Sequence, residues 1–174
     1  MKKNGTAVDV AIAVLVCNGA VHSHSLGLGG GFFMTIYIKN EGKSYFLNAR
    51  EMAPLASTEN MFKNNDNPKA STEGALSVAI PGELKGYFEA KNRFGNPTIT
   101  MLDLFQPTID LCNEGFKVTH SLEQGMYEIR VNNDRKIFKF PLPFILQRKG
   151  NPKRGEKFIN VLINLELPSL DFLI

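Results

Sequence analysis

The first ordered pattern in the chain is an apolar run, Val10 to Val16, preceded by Thr6 and Asp9. Thr6 followed three positions later by an acid is a capping-box spacing, so a helix is predicted from Ala7 to about Cys17, with Gly19 suited to its end. Apolar residues lie all round this helix, which predicts burial on most sides. A histidine pair and a glycine run follow. Phe32-Phe33-Met34-Thr35-Ile36-Tyr37-Ile38 is aromatic and β-branched and predicts a strand. Asn40-Glu41-Gly42-Lys43 is turn chemistry, and Ser44-Tyr45-Phe46-Leu47 predicts a second strand that closes a hairpin. The hairpin ends at Asn48-Ala49-Arg50-Glu51.

Residues Met52 to Glu73 are polar and rich in Asn and Lys, the pattern of a surface excursion. Ala75 to Ile80 predicts a short apolar strand, which Pro81-Gly82 turns into a helix from about Glu83 to Phe94, closed by Gly95. Thr100 caps a helix from Met101 to about Asn113, with Gly115 past its end. Pro107 inside it predicts a kink or a 3₁₀ start. A further helix is predicted from Leu122 to Arg130. After Asn132 the pattern weakens, and the chain has no internal repeat and no linker dividing it in two.

Composition changes this picture little. The 174 residues are 43% hydrophobic and 21% charged, an ordinary globular balance and enough chain for one core. The net charge of +3 is mild. Its main basic cluster, Arg148, Lys149, Lys153, Arg154 and Lys157 around Asn151-Pro152, reads as a solvated turn, so no nucleic-acid partner is expected. Cys17 and Cys112 are too few and too far apart for a disulfide framework or a zinc site, and read as small buried hydrophobes. Met1-Lys2-Lys3 before the apolar run has the outline of a signal peptide. Asp9 inside the run, the Asn4-Gly5-Thr6 spacer and the absence of a clear cleavage site argue against it. The run is also too short to span a bilayer.

Three groups of residues are candidates for chemistry. The run Gly27-Leu28-Gly29-Gly30-Gly31 follows a helix and precedes a strand, the reverse of a dinucleotide fingerprint, and Phe32-Phe33 stands where a phosphate loop needs Lys and Ser or Thr. Close backbone approach is the better physical account of these glycines. Arg50, just past a hydrophobic strand, could hold a carboxylate through two parallel hydrogen bonds; its alternative is a surface pair with Glu51. His22 and His24 would share a face in an extended segment, but two histidines make no metal site. Thr119-His120-Ser121 has the residue types of a nucleophile cluster without a base to support it.

Taken in order, the motifs resemble those of a known family. Asn4-Gly5-Thr6-Ala7-Val8-Asp9-Val10-Ala11-Ile12-Ala13 is similar to a Gly-Gly-x-Ala-Val-Asp-Ala-Ala-Ile-Ala helix start. His24-Ser25-Leu26-Gly27-Leu28-Gly29-Gly30-Gly31 is similar to a His-Ser-x-Gly-Ile-Gly-Gly-Gly loop, and Asn48-Ala49-Arg50-Glu51-x-Ala53-Pro54 to Asn-Ala-Arg-Glu-x-Ala-Pro. Ser77-Val78-Ala79-Ile80-Pro81-Gly82-Glu83-Leu84-x-Gly86-Tyr87 and Leu104-Phe105-Gln106-Pro107-x-Ile109 complete a set that resembles the γ-glutamyltransferase (glutathione hydrolase) family. The resemblance is good from about Asn4 to Phe116 and faint beyond Lys149.

The resemblance implies an α/β fold (α+β), part of an N-terminal-nucleophile hydrolase α/β/β/α sandwich that is incomplete in this chain. Residues 1–131 would be the N-terminal portion of the large subunit and 132–174 a diverged or truncated tail of the same domain. In the family a precursor cleaves itself, and the new N-terminal threonine of the small subunit attacks the γ-glutamyl bond. The implied partners are therefore a γ-glutamyl substrate such as glutathione and a small subunit from the same precursor. No cofactor and no metal are implied. Arg50 is the one residue carried over, as the ligand of the substrate's α-carboxylate; no catalytic residue is assigned. The expectation is an enzyme fragment inactive by itself, or else a non-catalytic truncated product or partner subunit. The family's location implies the extracellular face of the plasma membrane, although no signal or anchor segment is visible in these residues.

Overall fold

The computed structural model describes residues 4–63 and 65–125. The predicted domain boundary at 131/132, the end of the helix expected to reach Arg130 and the basic cluster around Asn151 lie outside the described residues. The chain divides into two units: Leu28–Gly86, and the described parts of Met1–Gly27 together with Tyr87–Ile174.

The second of these units is helical. Helix α1 spans Ala7–Val21, α2 Glu83–Phe94 (its first turn lying in the other unit) and α3 Met101–Glu114. The Thr6–Asp9 capping box forms as the spacing predicts: the Thr6 hydroxyl accepts from the Asp9 N–H at 3.2 Å, and Asp9 Oδ2 accepts from the Thr6 N–H at 2.7 Å. Thr100 and Asp103 repeat the device at the start of α3. Two expectations for α1 need correction. The helix does not stop near Cys17; it runs through Gly19, where an added Cβ would lie 3.3 Å from the Gly27 Cα. Nor is it buried on most sides. Val8, Ile12 and Val16 form a buried stripe at helical spacing, while Val14 is exposed. Helix α1 packs on α3, which buries Leu104, Phe105, Thr108 and Ile109 and continues in α form through Pro107, where a kink or 3₁₀ start was expected. Tyr87 and Ala90 of α2 and Leu122 in a helical stretch at 120–125 complete this core.

The other unit is built on an antiparallel hairpin of β1 (Phe32–Ile38) and β2 (Lys43–Ala49), in which Phe32 pairs with Ala49, Phe33 with Asn48 and Thr35 with Phe46. Gly42, at φ 63°, closes the connecting turn. Alternation puts Ile36 and Ala49 on the buried side and Phe33, Thr35, Tyr37, Phe46 and Asn48 on the exposed side. The strand expected over Ala75–Ile80 is not there. Ala75–Ser77 is a 3₁₀ turn, and extended pairing is confined to a single bridge between Met52 and Ile80. The excursion Met52 to Glu73 is a series of exposed turns, with Ala70 its one buried apolar residue.

The two units differ in what they cover. Eight of the ten exposed large hydrophobics among the described residues lie in Leu28–Gly86: Phe33, Tyr37, Phe46, Met52, Leu55, Leu76, Val78 and Ile80. Its buried apolar residues among the described ones are Ile36, Ala49 and Ala70. That ratio leaves this unit without a core of its own.

Candidate functional site

Arg50 stands directly after β2, and its backbone is approached closely by two glycine-bearing segments. A Cβ on Gly31 would collide with the Ala49 carbonyl oxygen and come within 2.9 Å of both Arg50 Cα and Glu51 N. A Cβ on Gly82 would strike the same carbonyl and lie 2.7 Å from the Arg50 oxygen. Only glycine permits backbone to pass this close. The Gly30 carbonyl accepts from the N–H groups of Gly82 at 3.0 Å and Glu83 at 3.1 Å, so the two glycine segments are tied to each other as well. One residue past Glu51, Met52 and Ile80 exchange two backbone hydrogen bonds at 3.0 and 2.8 Å. Gly29 has nothing within 4 Å of an added Cβ, so close approach accounts for Gly31 and not for every glycine of the run.

The Arg50 side chain leaves this clamp half exposed, at 54%. The Arg50 backbone N–H donates to Asn48 Oδ1 at 3.1 Å, which holds the backbone from which the side chain departs. Nη1 lies 3.3 Å from Glu51 Oε2 and Cζ lies 5.8 Å from the Phe33 ring centroid. The sequence alternative for Arg50, a surface pair with Glu51, is therefore present. It engages one amino group and leaves the Nε and Nη2 donors without a protein partner among the described residues. A guanidinium on a fixed backbone, with free donors facing solvent, is suited to receiving a carboxylate.

The other candidates fold into structural roles. His22 ends α1, its Nδ1 2.7 Å from Asn18 Oδ1, and the segment after it turns instead of extending. The rings of His22 and His24 are 6.0 Å apart, and no group of three or more His, Cys, Asp or Glu among the described residues is placed to hold a metal ion. Thr119 caps the 120–125 helical stretch, its hydroxyl accepting from the Leu122 N–H at 3.2 Å. Ser121 Oγ lies 3.1 Å from His24 Nε2, but among the described residues the buried His24 Nδ1 has no partner, and no carboxylate there orients the ring as a hydroxyl-activating base requires. Cys17 and Cys112 are free and half-buried; burial, with Cys17 nearby, pushes the Cys112 thiol up. A shallow depression beside Lys91, Gly95 and Thr100 holds one ammonium, already donating to the Asn96 carbonyl at 2.7 Å.

Two features escaped the sequence. Phe33 as a neighbour of Arg50 becomes visible only once the Phe33–Asn48 register is known. Gly82 as part of the clamp reads locally as a turn residue before a helix.

The comparisons with known proteins show one family for this chain. The family model described as Gamma-glutamyltranspeptidase matches residues 1–160. The chain is 44% identical over 130 residues to Scoloptoxin SSD14 of Scolopendra dehaani, covering 75% of this chain and 22% of that protein. It is 42% identical over 124 residues to Glutathione hydrolase 5 proenzyme of Rattus norvegicus, covering 71% and 21%. Among solved structures it resembles the gamma-glutamyltranspeptidase from Pseudomonas nitroreducens complexed with L-DON, with a TM-score of 0.74 and 32% identity over 92% of this chain and 48% of that one. The chain spans about a fifth of the length of the curated relatives it matches.

Proposed function

From a chain that belongs to the γ-glutamyltranspeptidase family, we propose the N-terminal portion of a large subunit whose enzyme transfers or hydrolyses the γ-glutamyl group of glutathione and related compounds. The fold is part of an N-terminal-nucleophile hydrolase sandwich. In this reading residues 1–131 belong to that portion and 132–174 are a diverged tail of the same domain. Arg50 pairs with the α-carboxylate of the γ-glutamyl group. The threonine nucleophile and the oxyanion donors come from a small subunit cut from the same precursor, a route in keeping with the word proenzyme in the rat relative's name. The assembled enzyme works at the extracellular face of the plasma membrane, which rests on the family resemblance alone.

The observation that carries the reading is the clamped Arg50 backbone with its exposed guanidinium. A charge-assisted hydrogen bond contributes about 1.5–3 kcal/mol. Enzymes lower barriers by about 8–23 kcal/mol. Arg50 thus holds a substrate and does not break a bond, and the 174 residues alone are inactive. The exposed apolar residues of Leu28–Gly86 fit a unit that a further chain covers. A non-catalytic partner subunit would carry the same face. The test is release of p-nitroaniline from γ-glutamyl-p-nitroanilide. The chain alone should match a protein-free control, and a chimera carrying residues 4–116 in the rat proenzyme should turn over, with kcat/KM lowered at least about tenfold by Arg50→Gln. Turnover by the isolated chain would sink the inactive-alone reading. An active chimera indifferent to Arg50→Gln would sink the assignment of Arg50.

A further inference from the structure

Strand alternation puts Phe33, Phe46 and Asn48 on one side of the hairpin, and Arg50, two residues past Asn48, keeps that side, its Cζ 5.8 Å from the Phe33 centroid. The Phe33 ring is itself braced by Phe46, with centroids 5.5 Å apart and planes tilted by 32°. Both rings are left largely in water, 61% and 65% exposed, so packing within the described residues does not explain them. On its other flank the guanidinium meets Glu51, whose Oε2 is buried and has no hydrogen-bond partner; the ion pair at 3.3 Å is its one charged neighbour among the described residues.

We propose that Phe33 is a positioning residue for Arg50: its ring, held by Phe46, confines the cation so that the free Nε and Nη2 donors face an incoming carboxylate. The inference rests on the reading of Arg50 as a carboxylate ligand. An unsupported arginine on a surface loses rotamer freedom when it binds, and that loss weakens the complex. A ring against one side of the cation and an acid at Nη1 remove much of that freedom beforehand. The ring is uncharged, so it does this without competing for the carboxylate. The ligand chemistry that follows from the guanidinium is a carboxylate, and L-glutamate serves as its probe.

The test follows the Arg50 side-chain Nε–H resonance of the labelled 174-residue chain, at a concentration where it is monomeric by sedimentation, during titration with L-glutamate. The wild-type resonance should shift saturably, and Arg50→Gln should abolish the specific response. Phe33→Leu should weaken glutamate binding about two- to fivefold and move the Arg50 resonance in the free protein through loss of the ring current. Phe33→Tyr should restore both. If Phe33→Leu disturbs the hairpin amide spectrum, Phe33→Met, similar in volume without a ring face, takes its place under the same criteria. A wild-type chain with no Arg50 response overturns the carboxylate reading and this inference with it. Equal affinities for wild type and the ring-less variant overturn this inference alone.

Discussion

The Asn96 N–H donates to Asp9 Oδ2 at 2.9 Å across 87 positions of sequence, fastening the turn between α2 and α3 to the first turn of α1. Asp9 is 1% exposed and also takes the Thr6 N–H and hydroxyl, while its Oδ1 lies 3.8 Å from the Lys91 ammonium. Burial alone would push its carboxyl up; the hydrogen bonds from Asn96 and Thr6, with the charge of Lys91, outweigh it and hold the carboxyl below the usual range. A depressed folded value means that the stabilisation is complete above the unfolded pKa of about 3.9 and disappears as pH falls through the lower folded one. Asp9→Asn should destabilise the chain by about 3 kcal/mol at pH 7, since it leaves Lys91 buried without its acid. Below pH 4 the gap should narrow. Urea midpoints that fall in parallel for both proteins through acid would contradict this account.

Gly31→Ala and Gly82→Ala should each destabilise by about 1–3 kcal/mol, because the added methyl meets the Ala49–Arg50 backbone and not a movable side chain. Gly29→Ala, with open space around its Cβ, should stay within about 1 kcal/mol of wild type. Thermal unfolding of the three variants separates a clamp from a merely flexible glycine loop. Equal stabilities across the set would rule the clamp out.

The uncovered face of Leu28–Gly86 should make the isolated chain self-associate as concentration rises. A triple change, Tyr37→Thr, Leu55→Ser and Val78→Thr, replaces three exposed apolar side chains and should move the population toward monomer in sedimentation velocity. A wild-type chain that stays monomeric with a cooperative transition would show that this face needs no cover.

The Cys112 thiol is pushed up by burial and by the neighbouring Cys17, which lowers its reactive thiolate fraction. Iodoacetamide at pH 8 should therefore modify Cys112 several-fold more slowly in the folded chain than in urea, read by peptide mass spectrometry. Labelling at the unfolded rate would mean that the thiol is not shielded.

Local signals carried far along this chain where the responsible contacts are also local. The Thr6–Asp9 spacing marks one cap and Thr100 the other, and the aromatic run matches β1 to the residue; the Asp103 half of the second box is seen only in the structure. They failed where a distant segment decides. Gly19 resembles a helix end, yet its bare Cα serves the approach of Gly27, and Ala75–Ile80 has the composition of a strand but only Met52 to pair with. The Thr6–Asp9 spacing predicts a cap and no more; the bond from Asn96 to Asp9 leaves no trace in spacing. Arg50 stood out only through the order of motifs around it, since by itself an arginine beside a glutamate is an ordinary surface pair.

The pairing of Phe33 with Asn48 turns residue count into direction. One residue inserted between Asn48 and Arg50 would send the guanidinium to the opposite side of the hairpin from the ring. Two would restore the side but carry it about 6.6 Å further along, beyond the grip of Gly31 and Gly82. No change of length there keeps both the side and the reach. The turn at 39–42 and the excursion at 52–73 face no such arithmetic, so length variation among natural versions of this chain should accumulate in those two places and be missing from Asn48-Ala49-Arg50.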